Sequence, residues 1–333
     1  STGEYTNDCY SVGYATSSSP LGTFTKKTIN GPFLYGSSPK YSDNKYTFDS
    51  SKNIYGSGHN MILKMSDDEM YIVYHSATFN KNNYITNSGD KYNGQTISQY
   101  TGRKLNLDRL VIDSSGNLVV NGPSTVNQPL PSGTTYNGVK YSQLASSNYS
   151  LNINNNSEVK YLSDNISYLT KNTTAKFTTT KKLDINLKKR MDVTDIWLYS
   201  SGSSLGFNNA VVDISINDKY VIKNVSLGTD SCVKLNIPYN MENLKNEHIK
   251  SIKIIADKDI SISEVKAITT NSDKMYDDTY TVKFDMNNGS GSVKSMTYNV
   301  GSTLGSLPAP VNILLKDGSQ ALLAEQKSLH QQL

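Results

Sequence analysis

The chain has 333 residues, which is too long for one ordinary hydrophobic core and favours two or three domains. Its formal net charge of +4 is spread along the sequence, and the dense basic run at 181–190 alternates with Leu and Ile, as a strand with a solvated lysine face does. This pattern excludes nucleic-acid binding from the expected functions. No run of about eighteen apolar residues occurs, so we predict no membrane span.

The composition favours extracellular β-structure. Tyr occurs 23 times against seven Phe and one Trp, and the mean hydropathy is −0.49. Alternating Tyr, Val, Ile and Leu can fill one face of a sheet while Ser, Thr and Asn cover the other. The two cysteines, Cys9 and Cys232, fall in different predicted domains, so we expect no disulfide between them. The sequence starts at Ser1 without a signal region, which is typical of a processed protein or a fragment.

The first predicted domain, residues 1–133, is a series of short strands. Tight turns at 66–69 and 114–117 separate alternating segments that belong to strands. The segments are "CYSVGYAT" (9–16), "FTKK" (24–27), "HNMILKM" (59–65), "EMYIVYHSA" (69–77), "RKLNLDRLVID" (103–113) and "NLVVNGP" (117–123). Four-strand antiparallel groups at this spacing are typical of propeller blades, so we interpret 58–122 as one blade and 9–27 as half of another.

The second predicted domain, residues 134–270, is a β-sandwich. A stretch with three prolines, 121–138, leads into it. Seven alternating segments with turn signals between them follow. They are "KLDINLK" (182–188), "VTDIWLYS" (193–200), "NAVVDISIN" (209–217), "KYVIKNVSL" (219–227), "CVKLNIPY" (232–239), "IKSIKIIAD" (249–257) and "ISISEVKAI" (260–268). Trp197 alternates with Ile196 and Leu198 in mid-strand, so we place it in the core rather than in a sugar-binding platform.

The last two segments are smaller. Residues 271–310 contain two or three strands around a Gly-rich turn, too few for a full domain, and we interpret them as a truncated β-repeat. The tail, 311–333, changes abruptly to Leu, Gln and Ala without Tyr. Two interpretations of the tail stay open: an amphipathic helix, or a chain end of accidental origin such as a frameshift.

The first domain resembles the C-terminal part of the five-bladed propeller of glycoside hydrolase family 43. The resemblance covers nearly all of the first 130 residues, in the family's order and spacing. It rests on "YSVGYATSSSPLGTFTK" (10–26), "GSGHNMILKMSDDEMYIVYHS" (56–76) and "GRKLNLDRLVIDSSGNLVVNGPS" (102–124). The fold class it implies is all-β, with the last blades of a propeller followed by the sandwich and the short repeat.

The resemblance implies two site residues. His59 matches the Gly-His pair that opens the family's last blade, whose imidazole points to the propeller axis and often helps to hold a hydrated calcium ion. Arg103 matches an arginine that reaches the sugar subsite, where a guanidinium can fork two hydrogen bonds to a sugar hydroxyl or a carboxylate. For His75 the resemblance supplies no chemical role, so we predict a structural one, in which it satisfies backbone groups between strands.

No catalytic residue is expected within this chain. Enzymes of the family invert the anomeric carbon with a general-base Asp, an orienting Asp and a general-acid Glu in a Glu-Gly-Pro motif. All three precede the stretch matched here, and nothing around Glu4 or Asp8 fits that motif. The chain on its own is therefore expected to be inactive.

Two weaker resemblances concern the remaining domains. The sandwich resembles galactose-binding-like modules of the discoidin type, through "LKKRMDVTDIWLYSS" (187–201) and "IKSIKIIADKDISISEVKAI" (249–268). The third segment resembles an internalin-type bacterial surface repeat, through "YTVKFDMNNGSGSVKSMTYNVGSTLGSLPAP" (280–310). Together the resemblances imply a fragment of a secreted or cell-surface bacterial glycoside hydrolase. Its expected partner is a plant polysaccharide or oligosaccharide containing arabinose or xylose. The alternative is a carbohydrate-binding or surface-adhesion protein without catalysis.

Overall fold

The computed structural model describes most of the chain in separate ranges. They are residues 11–27, 34–35, 40–42, 45–47, 55–66, 68–79, 100–124, 126–144, 149–153, 160–167, 175–201, 206–239, 241–270, 274–284, 294–302, 313–314 and 320–321. The predicted all-β class is confirmed, since strands make up almost all of the regular structure in these ranges. Within them, no helix has the length and apolar character needed to cross a membrane.

The four strands predicted between 58 and 122 form one antiparallel sheet. The strands of this part of the chain are β1 (Ser11–Val12), β2 (Tyr14–Thr16), β3 (Thr25–Lys27), β4 (Leu34–Tyr35), β5 (Lys40–Ser42), β6 (Lys45–Thr47), β7 (Tyr55–Ser66), β8 (Glu69–Phe79), β9 (Tyr100–Ile112) and β10 (Leu118–Val120). The order in the sheet is β10-β9-β8-β7, a simple meander. Its small core consists of Ile72, Tyr74, Leu110 and Val120. Before it, β1 pairs with β4, β2 with β3 and β5 with β6.

The predicted sandwich is an eight-stranded sheet that curls over a large core. Its part of the chain contains β11 (Thr135–Tyr136), β12 (Val139–Lys140), β13 (Ser142–Gln143), β14 (Tyr149–Ile153), a 3-10 helix (Lys160–Ser163), β15 (Thr178–Met191), β16 (Val193–Ser200), β17 (Val211–Ile216), β18 (Tyr220–Ser226), β19 (Cys232–Asn236), α1 (Glu242–Glu247) and β20 (Ile249–Thr269). The main path is β14-β15-β20-β16-β19, with β13 and the β17–β18 pair joined to β20.

One strand, β20, replaces two that the sequence predicted. The segments 249–257 and 260–268 were expected to be separate because polar residues lie between them. In the structure the register with β15 jumps from Ile260 to Ile255 between Thr180 and Lys182. The polar residues therefore bulge out of the ladder without ending the strand.

The two faces of the β16–β20 pair have different environments. Ile196, Leu198, Val265 and Ala267 point into the large sandwich core. Trp197 lies on the opposite face with Tyr199, Cys232 and Ile268. This group packs against Val126 of the three-proline stretch 121–138, which we call the connecting stretch, and against Tyr141 between β12 and β13. The prediction that Trp197 is a core residue is confirmed, because only 8% of its surface is exposed.

The third segment is an antiparallel pair attached to the sandwich. β21 (Thr279–Phe284) pairs with β22 (Lys294–Asn299). Just before β21, Tyr276 forms a backbone bridge with Arg190 at the end of β15. In the tail, β23 (Ile313–Leu314) pairs with β24 (Gln320–Ala321), so the helical interpretation is wrong for these four residues. The rest of 311–333 lies outside the described residues.

Candidate functional site

The His59 ring lies at one end of the four-stranded sheet, in contact with the His75 ring. The two ring centroids are 5.9 Å apart. Gly58 of β7 pairs with His75 of β8, and the next paired residues are Met61 and Val73, so His59 sits in a bulge. The backbone of His59 is left-handed, with φ 51°, a conformation that residues other than glycine rarely adopt. The bulge and this backbone conformation turn an exposed imidazole toward His75.

The register places Arg103 near the two histidines. On β9, Leu105 pairs with His75, and Arg103 pairs with Ala77 two positions along. Because side chains alternate along a strand and paired residues share a face, positions 75, 77, 103 and 105 belong to one face. β9 is separated from β7 by one strand, so the backbone at 103 is about 10 Å from β7. The side chain of Arg103 lies outside the described residues.

This face, which we call the His59 face, also carries exposed apolar surface. Leu105, the cross-strand neighbour of His75, is 80% exposed. The exposed His59 imidazole beside an apolar side chain offers both hydrogen-bonding and apolar contact to a ligand. The arrangement could therefore contact the polar and apolar surfaces of a sugar ring.

Calcium at His59 would need oxygen ligands in addition to the imidazole nitrogen. Calcium prefers six to eight oxygen atoms, mostly from carboxylates and carbonyls. Within the described ranges, no group of three or more His, Cys, Asp or Glu side chains could hold a metal ion. The calcium site stays a prediction that concerns His59.

A buried polar junction joins the four-stranded sheet to the sandwich. Glu69 and Arg109 are 6% and 5% exposed, and their side chains are 3.8 Å apart. Arg109 also donates to Gln143 Oε1 at 3.2 Å, and Gln143 donates to the Tyr71 hydroxyl at 2.6 Å. Burial is the largest cause that raises the pKa of Tyr71, so the hydroxyl stays protonated. The sequence did not predict this junction, because its residues belong to strands far apart in the chain and meet only in the fold.

Asp108 fixes the start of the connecting stretch. Its carboxyl is buried and accepts hydrogen bonds from the Tyr74 hydroxyl at 2.5 Å, the Ser124 N–H at 3.2 Å, the Ser124 hydroxyl and the Gln128 amide at 2.8 Å. Gly122 approaches so closely that a Cβ there would lie 2.1 Å from Asp108 Oδ2. The residues after β10 are thereby tied to the sheet, which fits a structural rather than a catalytic carboxylate.

A second group of buried polar residues lies on the junction side of β20. Lys266 and Glu264 are 6% and 1% exposed, and Lys266 Nζ is 3.6 Å from Glu264 Oε1. Lys266 Nζ also donates to Asn165 Oδ1 at 2.6 Å. The signal was in the sequence, because "SEVKA" places two charged residues on one face of an apolar strand. Their partner Asn165, 101 positions away, could not be found from that pattern.

Cys232 is a free, buried thiol on the same face. Burial raises its pKa to about 12, so the thiol form dominates at neutral pH and the sulfur is a poor nucleophile. The free thiol agrees with the expectation that Cys232 does not pair with Cys9, although Cys9 lies outside the described residues.

No protein-family model and no curated protein matches the chain. Among solved structures, the family 32 CBM from C. perfringens NanJ in complex with galactose is 14% identical, covers 38% of this chain and 98% of its own, and has a TM-score of 0.28. The F5/8 type C domain of a Bacteroides fragilis protein is 16% identical, over 39% of this chain and 97% of its own, with a TM-score of 0.26. A glycoside hydrolase is 11% identical over 77% of this chain, with a TM-score of 0.22, and this chain spans 53% of it. Likenesses this weak assign neither family nor activity.

Proposed function

We propose that this chain is part of a secreted or cell-surface glycoside hydrolase acting on polysaccharides that contain arabinose or xylose. The observation that supports the proposal is the contact between the His59 and His75 rings at one end of a four-strand meander, in which position 103 belongs to the same face as position 75. His59 and Arg103 are the two residues that the family 43 resemblance singled out as site residues. The meander has the strand order that a propeller blade needs.

In this proposal the His59 face is the floor of a sugar subsite. Arg103 binds a sugar hydroxyl or orients a carboxylate, and His59 presents its imidazole beneath the ring or to a hydrated calcium ion. The left-handed backbone at His59 is a sparsely populated conformation, and such conformations cluster at ligand-binding sites. The general acid and base of the family fall outside the stretch that the resemblance covers, so the role proposed for His59 and Arg103 is to bind and position the sugar.

The test is affinity electrophoresis of the full chain in gels containing arabinoxylan, galactan or dextran. We expect arabinoxylan to retard the parent chain. Loss of a charge-assisted hydrogen bond costs about 1.5–3 kcal/mol, so Arg103→Ala should weaken binding by roughly tenfold or more. Lys104→Ala is the matched control, because Lys104 neighbours Arg103 but belongs to the opposite face, and it should bind like the parent.

The calcium prediction is tested in the same gels. Adding EDTA should weaken the retardation of the parent chain and should have no effect on His59→Ala. Equal retardation of the parent chain with and without EDTA would contradict a calcium role at His59.

A second candidate function is sugar binding by the sandwich without catalysis. It is favoured by the large core of the eight-stranded sheet, which gives a rigid scaffold for binding loops. Retardation that persists unchanged in both His59→Ala and Arg103→Ala would support this candidate and contradict the first. Absence of retardation on every polysaccharide would overturn both.

A further inference from the structure

Three side chains on the junction side of β20 together supply the chemical groups that an acyl transfer within one chain needs. Lys266 supplies an amine, Asn165 a carboxamide and Glu264 a carboxyl group. The amine nitrogen lies 2.6 Å from Asn165 Oδ1 and 3.6 Å from Glu264 Oε1. The carboxamide carbon is bonded to Oδ1, so the amine is already next to the atom that it would attack.

Burial favours the reactive protonation states of this group. Desolvation is the largest cause that lowers the pKa of Lys266 to about 8 and raises the pKa of Glu264 to about 8. A proton passed from the ammonium to the carboxylate leaves a neutral amine and a neutral acid, which a water-poor site tolerates better than two charges. Arg109 acts in the same direction on the amine, since its positive charge lowers the pKa of Lys266.

The acceptor is held in place by the connecting stretch. Asn165 has a left-handed backbone, with φ 66°, in the turn after the 3-10 helix. Its carbonyl oxygen accepts a hydrogen bond from the Asn121 side-chain amide, and Asn121 Oδ1 accepts another from the Ser167 N–H at 3.3 Å. Asn121 is 1% exposed. The turn that carries the Asn165 side chain is thus held beside Lys266.

We propose that Lys266 and Asn165 form an intramolecular amide cross-link, with Glu264 as the general acid and base. The neutral amine of Lys266 attacks Cγ of Asn165, forming the new C–N bond. Glu264 donates a proton to the departing NH₂ group and takes one from the attacking nitrogen, so it ends as an acid again. The old C–N bond breaks and one ammonia leaves. The reaction needs no oxidant, reductant or added reactant.

The cross-link would fasten the turn at Asn165 to β20 across 101 positions of sequence. A covalent bond between positions so far apart restricts the unfolded chain strongly, as a disulfide across a long loop does. It also lies where the connecting stretch meets the sandwich, so it would hold together a junction otherwise made of hydrogen bonds and ion pairs. Such a bond suits a secreted protein that lacks disulfides in this part of the chain.

The test is the intact mass of the purified, reduced full chain. We expect a mass lower than that of the sequence by one ammonia, about 17 Da, and a tryptic product in which the peptides of Lys266 and Asn165 are joined. Lys266→Met and Asn165→Ala should have the full sequence mass. Glu264→Gln should remain mostly unlinked, because the proton transfer is lost.

The matched control is Lys253→Met. Lys253 belongs to the same strand, β20, but forms an ion pair with Asp218 at the surface. This variant should keep the mass loss. A parent chain of full sequence mass without joined peptides would overturn the proposal, whatever the variants do. A mass loss that persists in Lys266→Met would also overturn it, since a succinimide at an asparagine loses the same mass. Neither result bears on sugar binding at the His59 face.

Discussion

The two large sheets differ in how they use their apolar residues. In the eight-stranded sheet, Leu198 and Ile252 are fully buried within a core that the sandwich builds from its own strands. In the four-stranded sheet, Leu105 and Met61 are 80% and 59% exposed. The first sheet is therefore stabilised mainly by apolar burial. The second depends more on buried polar contacts at its borders, where Asp108 and Arg109 lie.

The largest effect should come from the sandwich core. Leu198→Ala removes a fully buried side chain and should lower the free energy of unfolding by about 3 kcal/mol. Met61→Ala, its counterpart on the exposed sheet, should change it by less than about 0.5 kcal/mol. Urea unfolding followed by the fluorescence of Trp197 and by circular dichroism measures both. Equal losses of unfolding free energy in the two variants would show that Met61 is buried, which would contradict the difference between the two sheets.

The next largest effect should come from Asp108. Asp108→Ala leaves the buried Tyr74 hydroxyl without its acceptor and removes one of two acceptors of the Gln128 amide, and we expect a loss of about 2 kcal/mol. Tyr74→Phe removes one donor only and should cost about 1 kcal/mol. Urea midpoints of the two variants give the comparison. A loss from Asp108→Ala no larger than that from Tyr74→Phe would contradict the role assigned to the carboxyl.

Asp108 also gives the junction a pH dependence with a defined sign. Burial is the largest cause that raises its pKa above the ordinary value of 3.8, although its hydrogen bonds lower it. Between pH 3.8 and the raised pKa of the folded state, the Asp108 carboxyl is protonated in the folded chain and ionised in the unfolded chain. Stability is greatest below pH 3.8 in this respect and falls as the pH rises through the folded pKa. Asp108→Asn should lose this slope when urea midpoints are measured from pH 4 upward.

The smallest effect should be local to the third segment. His248 Nδ1 lies 2.7 Å from Asp192 Oδ1, and its ring stacks on Tyr276 at 3.3 Å. His248→Ala should increase hydrogen exchange in β21 and β22 by about fivefold, because about 1 kcal/mol of attachment is lost. Lys189→Ala breaks a surface ion pair with Asp277 and should cause a smaller increase. Unchanged exchange in His248→Ala would contradict this attachment.

The sequence predicted the strands better than their borders. Alternation located β7 to β10 and β15 to β19, because a period of two is preserved wherever one face is buried. The alternation pattern wrongly divided β20 into two strands, because a bulge and a turn have the same polar composition. It also missed the short α1, whose six residues carry no helical period.

The site was predictable only in part. The resemblance named His59 and Arg103, which lie on β7 and β9 of one sheet with β8 between them. The ring contact between His59 and His75 depends on a bulge that the sequence does not encode locally. The junction could not be predicted, because Glu69, Arg109 and Lys266 belong to distant strands.

The length of β20 has a consequence for how this protein tolerates change. Its 21 residues pair with β15 and β17 in one half and with β16 in the other. Deleting one residue after Ile260 would shift the pairing register of the rest of β20 by one position. The side chains of Glu264 and Lys266 would then point into the apolar core. A deletion within the bulge at 256–259 would instead shorten the bulge and leave the register with β15 on either side of it unchanged. Length variation in this strand should therefore be confined to the bulge.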